Sequence, residues 1–306
     1  MKQIQMVKNV RADVVIYDSE ASWILKNSIP PGVSHFELEL RRNIYIGTSF
    51  RYFTRLVKYL FQERQLGLAL LFAVLDEMDC QVVMSVMVSQ PTLGRYAQIH
   101  AHKLIIIVQH LTRSSLGTKE GQKHAPVYYC FGPAEKDLFE IFEIPAKEII
   151  CSGSYFMGVY LSSQDRKLDE MKSEYKICFV SGYRTKFDQD LKGDDHPRKG
   201  NLILKETHDK LLSFVVRLCK EKNSKLLIVG RDRNPFKDEV LKSEETYYTK
   251  RCEGIEFDIL SKKKSDLSSY DGIFRSEVVI TIYSTLGWEA MGVGKKVLFG
   301  GGLNPK

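Results

Sequence analysis

Short apolar, β-branched runs alternate with stretches of helical periodicity along the whole sequence. That alternation builds βαβ units, and βαβ units build parallel sheets covered by helices on both faces. In the first half the runs at 13–17, 43–46, 81–88, 103–109, 127–131 and 148–152 read as strands, with helices at 20–26, 49–76, 91–101 and 134–142. In the second half strands are expected at 176–181, 225–229, 254–260, 278–282 and 296–299, with helices at 205–221, 266–275 and 286–292. Each half supplies a sheet of its own, so the expected fold class is α/β with two domains. The polar, charge-rich segment 162–174 marks the boundary. It gives an N-terminal domain over 1–165 and a C-terminal domain over 174–306. A second polar loop, 185–200, follows the first strand of the second half, and loops of that length inside a compact domain are usually functional or mobile.

Composition narrows the function class. A chain of 306 residues with 43% hydrophobic and 27% charged residues is long and apolar enough for two globular cores. Its longest apolar stretches, 66–75 and 104–108, fall short of the ~20 residues that a membrane helix needs. The N-terminus lacks the uninterrupted apolar region of a secretory signal, which points to the cytoplasm. The nearest two of the six cysteines, Cys130 and Cys151, are 21 positions apart, so no Cys-x-x-Cys pair is present, and buried reduced thiols are expected. Forty-five Lys and Arg against 38 Asp and Glu give a net charge of +7, which favours an anionic partner. Without a zinc-finger, RRM or helix-turn-helix signature, that partner is not expected to be nucleic acid.

In an open parallel sheet, ligands bind beyond the carboxyl ends of the strands. Ser181-Gly182-Tyr183-Arg184 and Gly230-Arg231-Asp232-Arg233 occupy such positions. Glycine lets a backbone approach a phosphate closely, and arginine offers a fixed fork of donors for its oxygens. A pair of ordinary glycine turns with solvated arginines is the alternative. The most informative stretch is 276–300: a buried strand ends in Ser284-Thr285, a helix starts at once, and Gly-Val-Gly-Lys-Lys-Val-Leu-Phe opens another strand. Ser284 or Thr285 caps the helix, whose first-turn N–H groups and dipole form an anion site. Glu289 follows Thr285 by four positions and Ser284 by five, whereas a capping box needs three. The spacing therefore favours a role for its carboxylate with sugar hydroxyls.

These residues carry a family resemblance. Glu-Val-Val-Ile-Thr, then Ser-Thr-Leu-Gly-x-Glu-Ala, then Gly-x-Gly-Lys-Lys-Val-Leu-Phe resembles the donor-binding region of GT-B glycosyltransferases of bacterial surface-carbohydrate (lipopolysaccharide and capsule) biosynthesis. Phe131-Gly132-Pro133, Cys151-Ser152-Gly153-Ser154 and Val108-Gln109-His110 are similar to turns of the same proteins. The resemblance implies an α/β fold of two Rossmann-like domains (GT-B), with a nucleotide-sugar donor held mainly by the second domain and a glycan or lipid-linked glycan acceptor on the first. It makes Ser284 and Thr285 phosphate contacts and Glu289 a ribose contact, with Gly182, Arg184, Gly230 and Arg231 as further donor-binding candidates. Asp18 and His110, each following a strand of the first domain, become candidates for the base that deprotonates the acceptor, a task suited to both residue types. No cofactor or metal is implied, because helix N-termini and arginines stabilise the leaving phosphate in such sites. Leu111 stands where the family expects glycine, and the second domain is shorter than the family's, so it reads as incomplete. A non-hydrolysing nucleotide-sugar epimerase and a non-catalytic nucleotide-sugar binding module are the alternatives on the same scaffold.

The segment 49–64 mixes aromatic residues with Arg51, Arg55, Lys58 and Arg64. On a helix, Phe53, Leu56, Val57, Leu60 and Phe61 share an apolar stripe. Two readings stand: packing on the first sheet, or an interfacial helix that attaches the protein peripherally to an anionic membrane, at the inner face of the cytoplasmic membrane.

Overall fold

The structure is a computed structural model that describes residues 2–8, 10–17, 22–40, 42–86, 91–109, 127–141, 146–163, 173–184, 196–230, 238–261 and 267–300. The chain divides into two units, Met1–Val159 and Tyr160–Lys306. The division falls just ahead of the polar 162–174 segment, most of which lies outside the described residues.

In the first unit, strands β1 (Gln3–Val7), β2 (Val14–Tyr17), β3 (His35–Leu38), β4 (Asn43–Gly47), β5 (Val82–Ser85), β6 (Leu104–Val108), β7 (Val127–Cys130) and β8 (Glu148–Cys151) alternate with helices α1 (Ser22–Leu25), α2 (Phe50–Glu63), α3 (Leu66–Glu77), α4 (Pro91–Ile99) and α5 (Pro133–Ile141). Helix α6 (Tyr155–Ser163) follows β8. Six strands form one sheet in the order β3-β2-β5-β6-β7-β8, with every neighbouring pair parallel. All four residues of β2 are buried, as expected of a strand covered on both faces. The run at 43–46 forms β4, but β4 pairs with β1 in a separate two-stranded sheet. Strands β1 and β3 are not legible as apolar runs: β1 is exposed at four of its five residues, and β3 is an edge strand.

The helix expected over 49–76 is two helices. Arg64 caps α2 in the left-handed conformation with φ 53°, its N–H donating to Leu60 O, and Gln65 is extended before α3 begins. Helix α2 buries Tyr52 and Tyr59 and packs Leu56 and Leu60 against the core, which includes Phe72, Leu75, Tyr96 and Ile105. The buried Asp76 ties three helices together near the amino ends of the strands: it accepts from Tyr59 Oη at 2.7 Å and Tyr96 Oη at 2.8 Å, with Arg55 Nη1 at 3.6 Å and Lys103 Nζ at 3.7 Å. Five of the cysteines are buried as expected, and Cys151 is exposed because it ends β8 at the edge of the sheet.

The second unit holds β9 (Tyr175–Val180), β10 (Leu226–Val229), β11 (Phe257–Leu260), β12 (Ser276–Thr281) and β13 (Lys296–Phe299), with helices α7 (His196–Lys222), α8 (Asp238–Arg251), α9 (Ser268–Phe274) and α10 (Thr285–Gly292). Its sheet runs β11-β10-β9-β12-β13, all parallel. From β9 the chain winds outward through β10 to β11, then returns to the far side of β9 for β12 and β13. The strand order therefore reverses between β9 and β12, which makes their carboxyl ends a topological switch point. Phe179, Leu226, Ile228 and Ile280 fill the core beneath it, each worth about 1.5–3 kcal/mol on burial. Helix α8 was absent from the sequence reading: its polar Asp-Glu-Val-Leu-Lys-Ser-Glu-Glu run hides an inward face of Glu244, Tyr247 and Tyr248.

Candidate donor-binding site

The switch point brings two of the sequence-predicted loops together. Ser181, Gly182, Tyr183 and Arg184 leave β9, while Ile282, Tyr283 and Ser284 leave the neighbouring β12 and enter α10. Arg184 Nη2 donates to Tyr283 Oη at 3.3 Å, a bond that joins the two loops. Ser284 is the N-cap of α10, with extended backbone at φ −67° and ψ 141°, and its Oγ accepts from Leu286 N at 3.3 Å. Thr285 is thus the first helical residue and Gly287 the third, so no acid stands at the capping-box position. The positive end of α10 and the Arg184 guanidinium lie at the same edge of the sheet, an arrangement suited to a diphosphate.

Glu289 lies one turn further along α10. It is buried, and its Oε1 accepts from Tyr270 Oη of α9 at 2.9 Å. The carboxylate that the spacing assigns to sugar hydroxyls is thus also a partner of the protein's own Tyr270. Gly230 ends β10 on the other side of β9, with its N–H donating to Leu260 O at 2.9 Å. Arg231, Asp18 and His110 lie outside the described residues.

Beneath the β9 loop lies a chain of buried polar groups that sequence reading missed. Ser181 Oγ donates to Glu244 Oε1 at 2.5 Å, and accepts from Tyr248 Oη at 2.7 Å and from Tyr183 N at 3.1 Å. His208, fully buried on α7, places Nε2 at 3.1 Å from Tyr248 Oη and Nδ1 at 2.9 Å from Tyr247 Oη. Tyr247 Oη donates to Asp209, which also accepts from Arg251 Nε at 3.0 Å. Burial alone would raise the Asp209 carboxyl. Bonds from His208, Tyr247 and Arg251 outweigh it and hold the carboxyl well below the usual range. Burial pushes the His208 imidazole down, with Asp209 opposing. The one sequence signal for this cluster is the spacing of Glu244 and Tyr248, four apart and so on one helix face.

Known proteins share this architecture. A Listeria monocytogenes protein described as a "putative UDP-N-acetylglucosamine 2-epimerase" superposes with a TM-score of 0.52 at 11% identity, covering 95% of this chain and 79% of that one. The wall teichoic acid polymerase TagF superposes with a TM-score of 0.50 at 11% identity, covering 95% of this chain and 70% of TagF. At that identity the likenesses establish the fold, two Rossmann-like domains of the GT-B kind. No curated protein sequence matches the chain. Residues 135–300, more than half of the chain and all of the switch-point site, match the family described as "putative O-antigen biosynthesis protein", and the chain belongs to that family.

Proposed function

We propose that the protein is a nucleotide-sugar-dependent glycosyltransferase that moves a hexosyl or ulosonic-acid unit from its donor to a surface-glycan acceptor. One observation carries this reading: Arg184 and the Ser284-capped N-terminus of α10 meet at the switch point of the second sheet. A sugar-nucleotide bond breaks toward the phosphate, and developing negative charge there is stabilised by a helix dipole and a guanidinium already in place. Ser284 and Thr285 contact the phosphates, Glu289 the ribose, and the Gly182 and Gly230 turns let the backbone come close. The phosphate of the leaving nucleotide is thereby neutralised without a metal ion. The acceptor belongs to the first unit, where Asp18 and His110 remain the candidates for its base.

The surface of α2 supports peripheral attachment to an anionic membrane as part of the same reading. Phe50 is 85% exposed, Phe61 81%, and Phe53 and Val57 52% each, so four apolar residues at helical spacing face solvent while Leu56 and Leu60 pack inward. The sequence stripe thus splits between core and surface. Among the described residues no helix is long and apolar enough to cross a membrane.

The test is incubation of the purified protein with a panel of nucleotide-sugars, with and without a lipid-linked glycan. Acceptor-dependent nucleotide release with sugar transfer is the expected result. Acceptor-independent interconversion of the sugar would identify an epimerase, and saturable binding with neither reaction would leave a binding module.

A further inference from the structure

Strands β7 and β8 end on a pair of thiols. Cys130 and Cys151 are register partners in this parallel pair, as are Tyr128 and Ile149 two positions earlier. Register partners in a parallel sheet point to the same face, and Tyr128, Cys130 and Ile149 pack in one cluster with Phe139 of α5. The two cysteines therefore share the α5 face, and their sulfur atoms are 3.8 Å apart. The backbone is fixed on both sides of them: Tyr129 pairs with Ile150 just before the thiols, and Ser152 N donates to Cys130 O at 2.9 Å just after them. Neighbouring strands lie about 4.8 Å apart, inside the Cα separation of roughly 4.4–6.8 Å that a disulfide spans. Bonding the sulfurs calls for side-chain rotation within a frame that is already in place.

Exposure divides the pair into two roles. Cys130 is fully buried, whereas Cys151 is exposed at the end of the edge strand. An oxidant in solution meets the outer sulfur first. Burial and, after it, the Cys151 sulfur push the Cys130 thiol up to about 12, so the inner sulfur stays protonated at neutral pH. Proximity offsets that low thiolate fraction, since well-oriented intramolecular reactions reach effective molarities of about 10⁵ M and above. Cys219 and Cys252 also share a core, but both are buried, and neither gives an oxidant a point of entry.

We propose that Cys130 and Cys151 form a dithiol–disulfide modification site whose oxidant is a small-molecule disulfide such as oxidised glutathione. Cys151 Sγ, as the thiolate, attacks one sulfur of the oxidant and breaks its S–S bond, and the thiolate released takes up the proton that Cys151 gave to solvent. Cys130 Sγ then gives up its proton and attacks Cys151 Sγ; the mixed S–S bond breaks, and the second small thiolate leaves and is protonated in turn. The protein dithiol loses two electrons and the oxidant gains them, which leaves two small thiols and one Cys130–Cys151 disulfide. The link fastens the edge strand β8 covalently to β7 at the carboxyl end of the first sheet. It also withdraws the Cys130 S–H from Gly132 O, 3.5 Å away, the carbonyl that opens α5 by accepting from Glu135 N and Lys136 N. The site is independent of nucleotide binding in the second unit.

The test is a peptide map of the reduced full chain after incubation with excess oxidised glutathione at neutral pH, quenched with iodoacetamide in denaturant and digested without reductant. Wild type should yield a linked Cys130–Cys151 peptide that dithiothreitol separates, with Cys80, Cys178, Cys219 and Cys252 alkylated. Cys130→Ser should stop with glutathione on Cys151. Cys151→Ser should react at least about tenfold more slowly, because its Cys130 sulfur is buried. A wild-type map in which Cys151 keeps glutathione while Cys130 is alkylated, in which both are alkylated, or in which either is linked to another cysteine overturns the proposal, whether or not the variants fold.

Discussion

At the scale of single residues, Glu289 shows how a site residue can be tied into the fold. Its Oε1 is the acceptor for the buried Tyr270 hydroxyl, so removing the carboxylate does two things at once. Glu289→Gln retains an acceptor for Tyr270 and should weaken nucleotide binding by about 1.5–3 kcal/mol, the worth of a charge-assisted hydrogen bond. Glu289→Ala should add a stability loss of about 1–3 kcal/mol, because it removes the carboxylate that accepts from the buried Tyr270 hydroxyl. Calorimetry and urea unfolding on the two variants separate these effects; equal unfolding midpoints for both would show that Tyr270 does not depend on Glu289. Among the thiols, Cys151 is exposed, whereas burial raises Cys130, Cys178 and Cys252, each to about 12. A thiol reagent at neutral pH should therefore titrate one cysteine fast and the other five only on unfolding, with mass spectrometry placing the fast label on Cys151.

At the scale of elements, helix α2 uses its two faces differently. Tyr52 and Tyr59 are buried, and Arg55 and Arg51 are engaged by Asp76 and Asp79, while Phe50, Phe53, Val57 and Phe61 meet solvent. Reversing Arg51 or Arg55 would break those pairs, so the cleaner probes of membrane attachment are the aromatic residues and Lys58. Each buried Phe is worth about 1.5–3 kcal/mol, and each basic residue near an anionic surface about 1 kcal/mol. The double variant Phe53→Ser/Phe61→Ser should lose co-sedimentation with anionic vesicles, and Lys58→Glu should weaken it in a manner that salt mimics. Wild-type protein that stays in the supernatant with anionic vesicles at low salt would assign the exposed face another role. The apolar strands were legible from sequence because a parallel strand covered on both faces must be a continuous apolar run. Helix α8 was not, because its buried side consists of Glu244, Tyr247 and Tyr248, which read as polar until their partners on α7 and β9 are known.

At the scale of the whole molecule, the buried His208 and the half-buried Asp209 set the response to acid. Asp209 has its folded value depressed, so its contribution is present above its unfolded value and is lost as pH falls through the folded one. His208 is depressed below 6.5, so between its folded value and 6.5 the unfolded chain binds more protons, and stability declines as pH drops through that window. Both act in one direction. Urea midpoints measured at steps from pH 7 to pH 5 should fall, and His208→Gln should flatten the upper part of the decline; midpoints that hold or rise across that range would contradict the burial of a neutral imidazole.

Local sequence determined the βαβ alternation, the strand ends on which the site stands, and the Ser284 cap of α10, since each depends on neighbours within a few residues. Periodicity and capping chemistry are local properties, and they are written in the order of the residues. Tertiary structure alone decided that β4 leaves the main sheet for β1, that Glu289 answers to Tyr270, and that Ser181, His208 and Glu244 form one hydrogen-bonded line. Those partners are 19 to 67 positions apart in the chain. A buried hydroxyl or carboxyl must be satisfied by whatever the fold brings beside it, and that pairing is fixed by packing across the sheet rather than by any spacing in the sequence.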